Sequence, residues 1–510
     1  MTQETLDDDG AREQRRERLV LFILAAVQFT TIVDFMIVMP LGPQLMRTLH
    51  IGPAKFGLIV SSYTFAAGAA GLVASSIVDR FARRTTFITL YAGFLLGTLC
   101  CALAPNYHAL VLARVATGAF GGILGGMAMA IIGDVFPEHR RGRATGSLMT
   151  GFALASVAGV PFGLYLGTNY GWYIPFIVLA IGGIPALLAA PYALPPLDGH
   201  VGKSHAHPLR AVVETFTHTS HLNAFALIVA LMLGAFTVFP YLSPYLVSNV
   251  GMTEQQLPLV YIAGGALTFF AAPVIGRLAD RYGKLTIFRL FIPVSVLLLL
   301  VITHLPPVPV AVAVAVFGAL MVSNVGRMIA AMAMVTSSVE PRRRGAFLSA
   351  NSSVQHVAAG FGTYLGGLIV SQSAAGQIEH FGTVGWIAAA ATLSSLWLAG
   401  RVRIVDETAI AAEALSLAAA AEAAVDAGAS LPSTHPSTTN ASGHECGGSS
   451  PMPPGVSGSI RSVRRRRSHP TWPVTAKTPK RPVGKRRALP HRSQLLSLVP
   501  LISRWRWRPS

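Results

Sequence analysis

Residues 75–84 read SSIVDRFARR, and about 200 positions later residues 276–285 read GRLADRYGKL. Each of these aspartate–arginine loops follows one long apolar run and precedes another. A second pair of loops repeats at nearly the same offset, with PEHRRG at 137–142 and PRRRG at 341–345. Such a repeat predicts two parallel halves, related by an axis along the membrane normal.

The chain around these loops is too apolar for an ordinary soluble protein. Hydrophobic residues make up 52% of its 510 residues, charged residues only 12%, and the mean hydropathy is +0.53. Soluble domains carry about 25% charged residues, and a membrane-spanning helix needs about 20 mostly apolar residues. Suitable runs lie at 19–41, 56–78, 85–104, 110–135, 146–167, 172–190, 223–247, 257–278, 285–303, 310–337, 346–370 and 384–399. We expect an all-α polytopic membrane protein with twelve transmembrane helices in two pseudo-symmetric six-helix halves.

The composition also bears on other protein classes. A net charge of +18 would suit a nucleic-acid binder, but much of the excess lies beyond residue 403 and in short loops. Cys100, Cys101 and Cys446 cannot form a disulfide framework, because two of them are adjacent within an apolar run. The phosphate-binding pattern Gly-x-x-x-x-Gly-Lys-Ser/Thr does not occur in the sequence. We expect neither an enzyme nor a nucleic-acid partner, and no metal or other cofactor.

Lysine and arginine residues are concentrated in alternate loops. They follow spans 2, 4, 8 and 10, whereas on the other side only Arg47 and Lys55 break the pattern. The bias predicts cytoplasmic termini and a cytoplasmic central connection, in a bacterial inner membrane. The first run is too long for a signal peptide and is expected to be retained. The predicted parts are an N-terminal segment, a first half, a linker, a second half and a tail, at 1–18, 19–190, 191–222, 223–403 and 404–510.

Two polar segments outside the spans carry no clear functional pattern. The linker region contains His200, His205, His207, His218 and His221. Their irregular spacing favours a solvated connection over a metal site. The tail is predicted to be disordered, with at most a short helix at 409–427. Its arginines at 464–467 suit contact with anionic lipid. An abnormal or frame-altered C-terminus would explain the same composition equally well. We therefore assign the tail no function.

From residue 19 to residue 403 the sequence resembles the major facilitator superfamily, and within it the bacterial drug:proton antiporter branch with its sugar and arabinose efflux relatives. The resemblance implies secondary active transport by alternating access, as proton-coupled efflux of a drug-like compound, sugar or metabolite. It also implies a monomer in the lipid bilayer that is driven by the proton gradient. Import by proton symport, and ligand sensing without transport, are the alternatives.

The aspartate–arginine loops are the strongest element of this resemblance, and they imply a gate on the cytoplasmic side. The gate residues would be Asp79, Arg80, Arg83, Asp134, Asp280, Arg281 and Lys284. Fixed charges at helix ends interact with backbone dipoles and with opposite charges nearby. A basic loop that only sets membrane orientation is the alternative. The first copy has Ser75 and Ala82 where the family usually has glycine.

Two charged residues lie inside apolar runs, Asp34 in span 1 and Arg114 in span 4. An arginine near the centre of a span costs about 2.5–3.5 kcal/mol on insertion scales, so it needs a partner or a water-filled cavity. Burial favours the neutral form of a carboxyl group, and a neighbouring cation favours its ionised form. We therefore expect Asp34 and Arg114 to form the proton-coupling site. A purely structural aspartate is the alternative.

Small residues mark spans 4 and 5. The run after Arg114 resembles a second family motif, and its glycines permit close approach of another helix. In span 5, residues 151–167 resemble the antiporter motif, with a Gly-x-Pro order instead of the more usual Gly-Pro. Its expected helix-sliding residues are Gly159, Pro161, Gly163 and Gly167. A proline inside a helix removes a backbone hydrogen bond, which suits movement at this point.

The remaining polar and aromatic residues of the spans are candidates for a substrate cavity. They are Thr31, Tyr241, Tyr245, Asn324, Arg327 and Gln355. Thr31 shares a helix face with Asp34, and Asn324 and Arg327 are one turn apart and suit a polar or anionic group. Hydrogen bonding between helices and core packing are the alternatives for these residues. His356 suits either a proton relay or such a hydrogen bond.

Overall fold

The computed structural model describes residues 3–77, 81–195, 215–217, 219–339 and 344–402. Two predicted gate residues, Asp79 and Arg80, lie outside these described residues. The same holds for most of the predicted linker and its histidines other than His221. It also holds for the predicted tail, including the short helix at 409–427 and the arginines at 464–467.

The first half is built from α-helices. They are α1 (Gln3–Ile37), α2 (Gly42–Thr48), α3 (Pro53–Ile77), α4 (Arg83–Ala102), α5 (Tyr107–Val135), α6 (Glu138–Leu154), α7 (Val160–Tyr170) and α8 (Ile174–Ala193). A π-helical turn, Ala155–Gly159, joins α6 to α7. Helix α5 begins after Asn106, whose side chain accepts a hydrogen bond from the Ala109 N–H at 3.0 Å. Helix α1 begins well before the apolar run, because the preceding Arg, Glu and Gln residues are good helix formers.

The second half repeats this plan. It contains α9 (Thr219–Phe236), α10 (Phe239–Ser248), a 3₁₀ turn (Glu254–Gln256), α11 (Leu257–Tyr282), α12 (Lys284–Thr303), α13 (Val310–Ser337), α14 (Arg344–Ile369), a short hairpin of β1 (Ser371–Gln372) and β2 (Ile378–Glu379), and α15 (Phe381–Ala399). Strands β1 and β2 are antiparallel. Between α11 and α12, Gly283 has a φ of 91°, a conformation that glycine adopts at little steric cost. Ala82, at the matching point of the first half, has a φ of −56°, so the backbone conformation differs between these two matching positions.

Twelve helical segments agree with the twelve predicted spans. Eleven segments in the described part of the chain are long and apolar enough to cross a membrane, with α6–α7 and α9–α10 each counted as one. Helix α14 is the twelfth and has 26 residues. It is more polar than the other eleven because it contains residues such as Asn351, Ser353 and Thr363. These three side chains are buried, so the polar groups do not face the lipid. The fold is therefore that of a twelve-helix membrane protein.

Apolar side chains cover much of the outer surface of the bundle. Leu112, Leu188 and Phe270 are exposed to 70%, 63% and 73%. Large apolar groups exposed in this way suit contact with lipid rather than water. The backbone polar groups are paired inside helices, as a spanning segment requires.

The buried core divides according to depth in the bundle. We call the end where α1 begins the basic face, and the end where α1 terminates the opposite face. Towards the opposite face one core joins both halves, with Leu45 and Phe56 from the first and Tyr241 and Leu242 from the second. Towards the basic face each half keeps a core of its own. The halves are thus packed together at the opposite face and have separate cores at the basic face.

Candidate functional site

Asp34 of α1 and Arg114 of α5 form an ion pair inside the first half. Nη1 of Arg114 donates a hydrogen bond to Oδ2 of Asp34 at 2.8 Å, and both side chains are fully buried. Thr98 of α4 donates its hydroxyl hydrogen to Oδ1 of Asp34 at 3.1 Å. The structure therefore brings together the two charged residues that the sequence singles out, and a third helix completes the site.

The face of Tyr63 lies under the Arg114 guanidinium. The Cζ atom of Arg114 is 4.3 Å from the centroid of the Tyr63 ring, within the range of a cation–π interaction. Among the described residues, Nε and Nη2 of Arg114 have no hydrogen-bond partner. The aromatic face thus stabilises the buried positive charge of Arg114 in place of some of the hydrogen bonds that its guanidinium lacks. Sequence analysis missed Tyr63, because a tyrosine in an apolar helix carries no distinguishing pattern.

Glycines of α5 allow this close approach of α3. A Cβ atom on Gly118 would lie 2.3 Å from the carbonyl oxygen of Tyr63, and one on Gly121 would lie 2.6 Å from the Tyr63 hydroxyl. A Cβ on Gly122 would meet Ala67 of α3 at 2.5 Å. Such distances leave no room for a larger residue. The glycine run after Arg114 therefore sets the distance between the two helices that hold the cation and the ring.

Phe35, next to Asp34, links this site to the second half. Its ring stacks on Tyr63 with 5.3 Å between centroids. It also lies 6.0 Å from the ring of Phe236 on α9 and 6.5 Å, edge-on, from His356 on α14. Phe35, Phe236 and His356 are all half-buried. The aromatic contacts thus lie where the halves meet, beside the buried ion pair. No sequence pattern marks Phe35 or Phe236, whereas His356 stands out as a polar residue within its span.

Arg327 of α13 is the other buried cation. Its Nη2 and Nε donate to Oδ1 of Asn324 at 2.8 and 3.2 Å, and its Nη1 donates to Oγ1 of Thr392 on α15 at 2.9 Å. Only 2% of its surface is exposed, whereas Asn324 is half-buried. Between described residues it forms no ion pair. Asn324 and Arg327 are therefore in contact, but the guanidinium is enclosed by its own half.

The other predicted cavity residues occupy different places. Thr31 donates to the Val27 carbonyl oxygen of its own helix at 2.9 Å. Tyr241 and Tyr245 lie in the shared core, where their hydroxyls donate to the carbonyl oxygens of Thr363 (2.6 Å) and Leu305 (3.0 Å). Gln355 is half-buried, with Nε2 4.0 Å from Sδ of Met332. In this conformation the two tyrosines pack the closed side of the bundle.

The predicted gate residues that the structure describes lie at the basic face. Arg83 and Asp134 form an ion pair with Nη1 and Oδ2 2.5 Å apart. Lys284 donates to Oγ of Ser337 at 2.7 Å, which joins α12 to α13. Asp280 and Arg281 are exposed, and the Arg281 guanidinium lies over the ring of the adjacent Tyr282. Each of these contacts stays within one half.

The three predicted helix-sliding glycines pack on the end of α1 and on the turn that follows it. Cβ atoms on Gly159, Gly163 and Gly167 would lie 2.4, 3.0 and 2.4 Å from side-chain atoms of Val33, Ile37 and Leu41, respectively. The glycines are four residues apart, as are their partners, so the π-helical turn and α7 run along the end of α1 and the turn after it. Pro161 is the second residue of α7, which begins where the π-helical turn ends. A π-helical turn in an α-helix often lies at a functional position, and this one contacts the helix that carries Asp34.

Arg47 and Glu254 form an ion pair at the opposite face. Nη1 of Arg47 contacts Oε1 of Glu254, and Nη2 donates to Oε2 at 3.2 Å. The hydrogen bond to the carboxylate raises the pKa of Arg47 above its ordinary value. The pair joins α2 of the first half to the 3₁₀ turn of the second. Sequence analysis recorded Arg47 only as an exception to the charge pattern.

Comparison with known sequences agrees with a membrane-spanning fold. The pattern of the Major Facilitator Superfamily matches residues 24–327. The MFS-type transporter YtbD of Bacillus subtilis is 25% identical over 389 residues, which is 76% of this chain and 96% of YtbD. The inner membrane transport protein YdhP of Escherichia coli is 27% identical over 248 residues, covering 48% of this chain and 62% of YdhP.

Solved structures share the architecture. A bacterial homolog of the human lysosomal transporter Spinster, in an inward-facing and unoccupied conformation, has a TM-score of 0.58 and 16% identity over 76% of this chain and 95% of its own. The nucleoside transporter NupG has a TM-score of 0.56 and 15% identity over 76% and 99%. At these identities the likeness concerns the fold alone. Since the family pattern covers more than half of the chain and the twelve-helix fold agrees with it, this protein belongs to the Major Facilitator Superfamily and is a multi-pass membrane transporter.

Proposed function

We propose that this transporter couples proton movement to the export of a small organic molecule across the bacterial inner membrane. The observation that carries the proposal is the fully buried pair of Asp34 and Arg114. A carboxylate held inside a membrane protein by one cation can exchange that interaction for a proton. No bound cofactor is needed for this chemistry, and a single chain supplies both residues.

Protonation of Asp34 would change the forces between helices. Neutral Asp34 no longer attracts Arg114 as an ion, so α1 is held less strongly to α5. Helix α1 also carries Val33 and Ile37, on which Gly159 and Gly163 pack closely. A change at Asp34 would thus act on a helix that packs against small residues, an arrangement that suits sliding along α7. This is the physical link between a proton and a conformational change.

The division of the core supports alternating access. The halves share one core near the opposite face and have separate cores near the basic face. With the basic face in the cytoplasm, as the loop charges suggest, a substrate would enter from inside. It would then meet the half-buried Phe35, Phe236 and His356 beside the ion pair. Export is further supported by the resemblance of span 5 to the antiporter motif.

Proton symport of an organic anion is the second candidate, and Arg327 is the observation that favours it. This buried guanidinium contacts only neutral oxygens among its described partners. A positive charge without a counter-ion attracts an anion, and protonation of Asp34 would strengthen that attraction. Proton and anion would then bind together rather than in exchange. An organic cation would instead be repelled more strongly when Asp34 is protonated. Cation and proton would then bind in exchange, which suits the export proposal.

Proton coupling is tested in weakly buffered detergent solution, with sugars, organic cations and organic anions as probes. Addition of a transported compound is expected to release protons from an antiporter, and Asp34→Asn is expected to abolish the release. Glu379→Gln, which removes an exposed carboxylate on β2, is the matched control and retains it. An Asp34→Asn variant that still releases protons and still shows gradient-driven flux would overturn the proposal.

The direction of transport is tested in everted vesicles with an acidic lumen. An exporter that exchanges substrate for protons accumulates the probe in the lumen. A symporter loses a preloaded probe from the lumen under the same gradient. Binding without either flux would mean that the protein senses its ligand instead of transporting it.

A further inference from the structure

Two basic residues at the opposite face break the charge pattern of the loops, and the structure gives them different partners. Lys55 stays within the first half, where its Nζ lies 5.7 Å from the centroid of the Tyr107 ring. Arg47 instead reaches Glu254 of the second half. Lys55 therefore makes a contact within its own half, whereas Arg47 makes a contact between the halves.

The geometry of the Arg47–Glu254 pair is that of a two-point contact. Each terminal guanidinium nitrogen meets one carboxylate oxygen, an arrangement that fixes orientation as well as distance. The Glu254 side chain is 12% exposed and that of Arg47 is 68% exposed. Thr253 and Gln256 form a capping box around the turn that carries Glu254. The acid is therefore held in place, and the arginine closes over it from the other half.

A packed seam lies beneath this ion pair. Phe56 of α3 meets Tyr241 of α10 edge-on, with 6.1 Å between ring centroids. A Cβ atom on Gly42 of α2 would lie 2.9 Å from Cγ of Pro244, also on α10. Both contacts run from the first half to the second. The ion pair thus lies at the rim of the surface where the halves close on each other.

The described ion pairs at the basic face have a different character. Arg83 pairs with Asp134, and Arg140 pairs with Glu17, in both cases within the first half. The buried pair of Asp34 and Arg114 is also internal to that half. Among the ion pairs formed between described residues, Arg47–Glu254 is thus the one that bridges the halves.

We propose that Arg47 and Glu254 form a latch that keeps the opposite face closed and must break each time that face opens. They are positioning residues, since they act on the equilibrium between conformations and touch no substrate. The proposal requires a transporter with alternating access. It does not depend on proton coupling, on the direction of transport or on the substrate. Failure of the export proposal would leave it intact.

The size of the effect follows from the exposure of the pair. A partly exposed ion pair shifts an equilibrium by up to about fivefold. The shift should depend on salt, since the Debye length falls from about 30 Å at 0.01 M to about 3 Å at 1 M. The seam beneath the latch is held by apolar packing, so removal of the charges should not unfold the protein.

The latch is tested with the purified full chain in detergent, where both faces are accessible whichever way the protein inserts. Cys100, Cys101 and Cys446 are replaced by alanine. Thr363→Cys then places one thiol at a fully buried position of α14, where the backbone lies against Gly57 of α3 in the other half. The rate of its reaction with a maleimide measures opening of the opposite face, and the melting temperature of each variant checks that it is folded.

Arg47→Gln and Glu254→Gln are each expected to raise the labelling rate by up to about fivefold. The exchange Arg47→Glu with Glu254→Arg is expected to return it towards the parent rate, and Lys55→Gln is the matched control that leaves it unchanged. High salt should accelerate labelling of the parent but not of Arg47→Gln. Unchanged rates in both single variants, or an equal rise in Lys55→Gln, would overturn the latch.

Discussion

Asp34 and Arg114 are 80 positions apart in the chain, yet their side chains meet at 2.8 Å inside the first half. Thr98 adds a hydrogen bond to the same carboxylate, so α1, α4 and α5 converge on one buried charge pair. Both side chains are fully buried and out of contact with bulk solvent. Each therefore depends on the other for its charge, and this dependence underlies the first prediction.

Arg114→Leu should destabilise the protein strongly. Removal of one partner from a buried pair leaves an uncompensated charge, which costs about 3–5 kcal/mol. The melting temperature in detergent should fall accordingly. Adding Asp34→Asn to Arg114→Leu should recover part of the loss, because the remaining partner is then neutral. Losses in the double variant that equal the sum of the two single losses would contradict the pairing.

The loss of stability on substitution of Tyr63 should depend on whether an aromatic face remains under Arg114. Tyr63→Phe keeps the ring under Arg114, whereas Tyr63→Leu removes a cation–π interaction of about 0.5–2 kcal/mol. We expect a lower melting temperature for the leucine variant than for the phenylalanine variant. Equal losses in the two variants would mean that the hydroxyl group, which both variants lack, matters at this position and the aromatic face does not.

Gly118→Ala should push α3 away from α5. The new Cβ would lie 2.3 Å from the Tyr63 carbonyl oxygen, a backbone atom that cannot move alone. Gly125→Ala on the same helix is the matched control, because no atom lies within 4 Å of its added Cβ. The control should be neutral or more stable by about 0.5–1 kcal/mol. Thermal melting compares the two, and similar behaviour would refute close packing at Gly118.

Asp134→Asn should affect transport more than stability. The Arg83 and Asp134 side chains are 16% and 31% exposed, and ion pairs of this kind contribute about 0–1 kcal/mol. The melting temperature should therefore change little. The family resemblance makes Asp134 a predicted gate residue, so its substitution should nevertheless alter the rate of flux in vesicles. A large fall in melting temperature with unchanged flux would assign the pair a structural role instead.

The fold could be predicted almost completely from the sequence. Apolar runs and the repeated loops indicate twelve spans in two halves, since membrane insertion depends on composition summed along each run. Even α14, the most polar of the twelve, was recognised from its length and position. Helix starts were less accurate, as α1 shows, because hydropathy does not register a polar helical extension.

Part of the candidate site was also predictable. Asp34 and Arg114 stand out because a charge inside an apolar run is costly, so each needs a reason to be there. Because each charge needs a partner, contact between Asp34 and Arg114 could be expected from the sequence. Tyr63 and Phe35 had no such signal, because aromatic residues are common in membrane helices and carry no charge that needs a partner.

By itself the sequence determined how many helices cross the membrane, how they repeat and which charges must find partners. Only the tertiary structure decided which partners they find. It placed Tyr63 under Arg114, packed Tyr241 into the closed side of the bundle and paired Arg47 with Glu254 across the halves. Hydropathy is a property of each segment alone, whereas these contacts depend on the rotation and spacing of helices and on how the two halves meet.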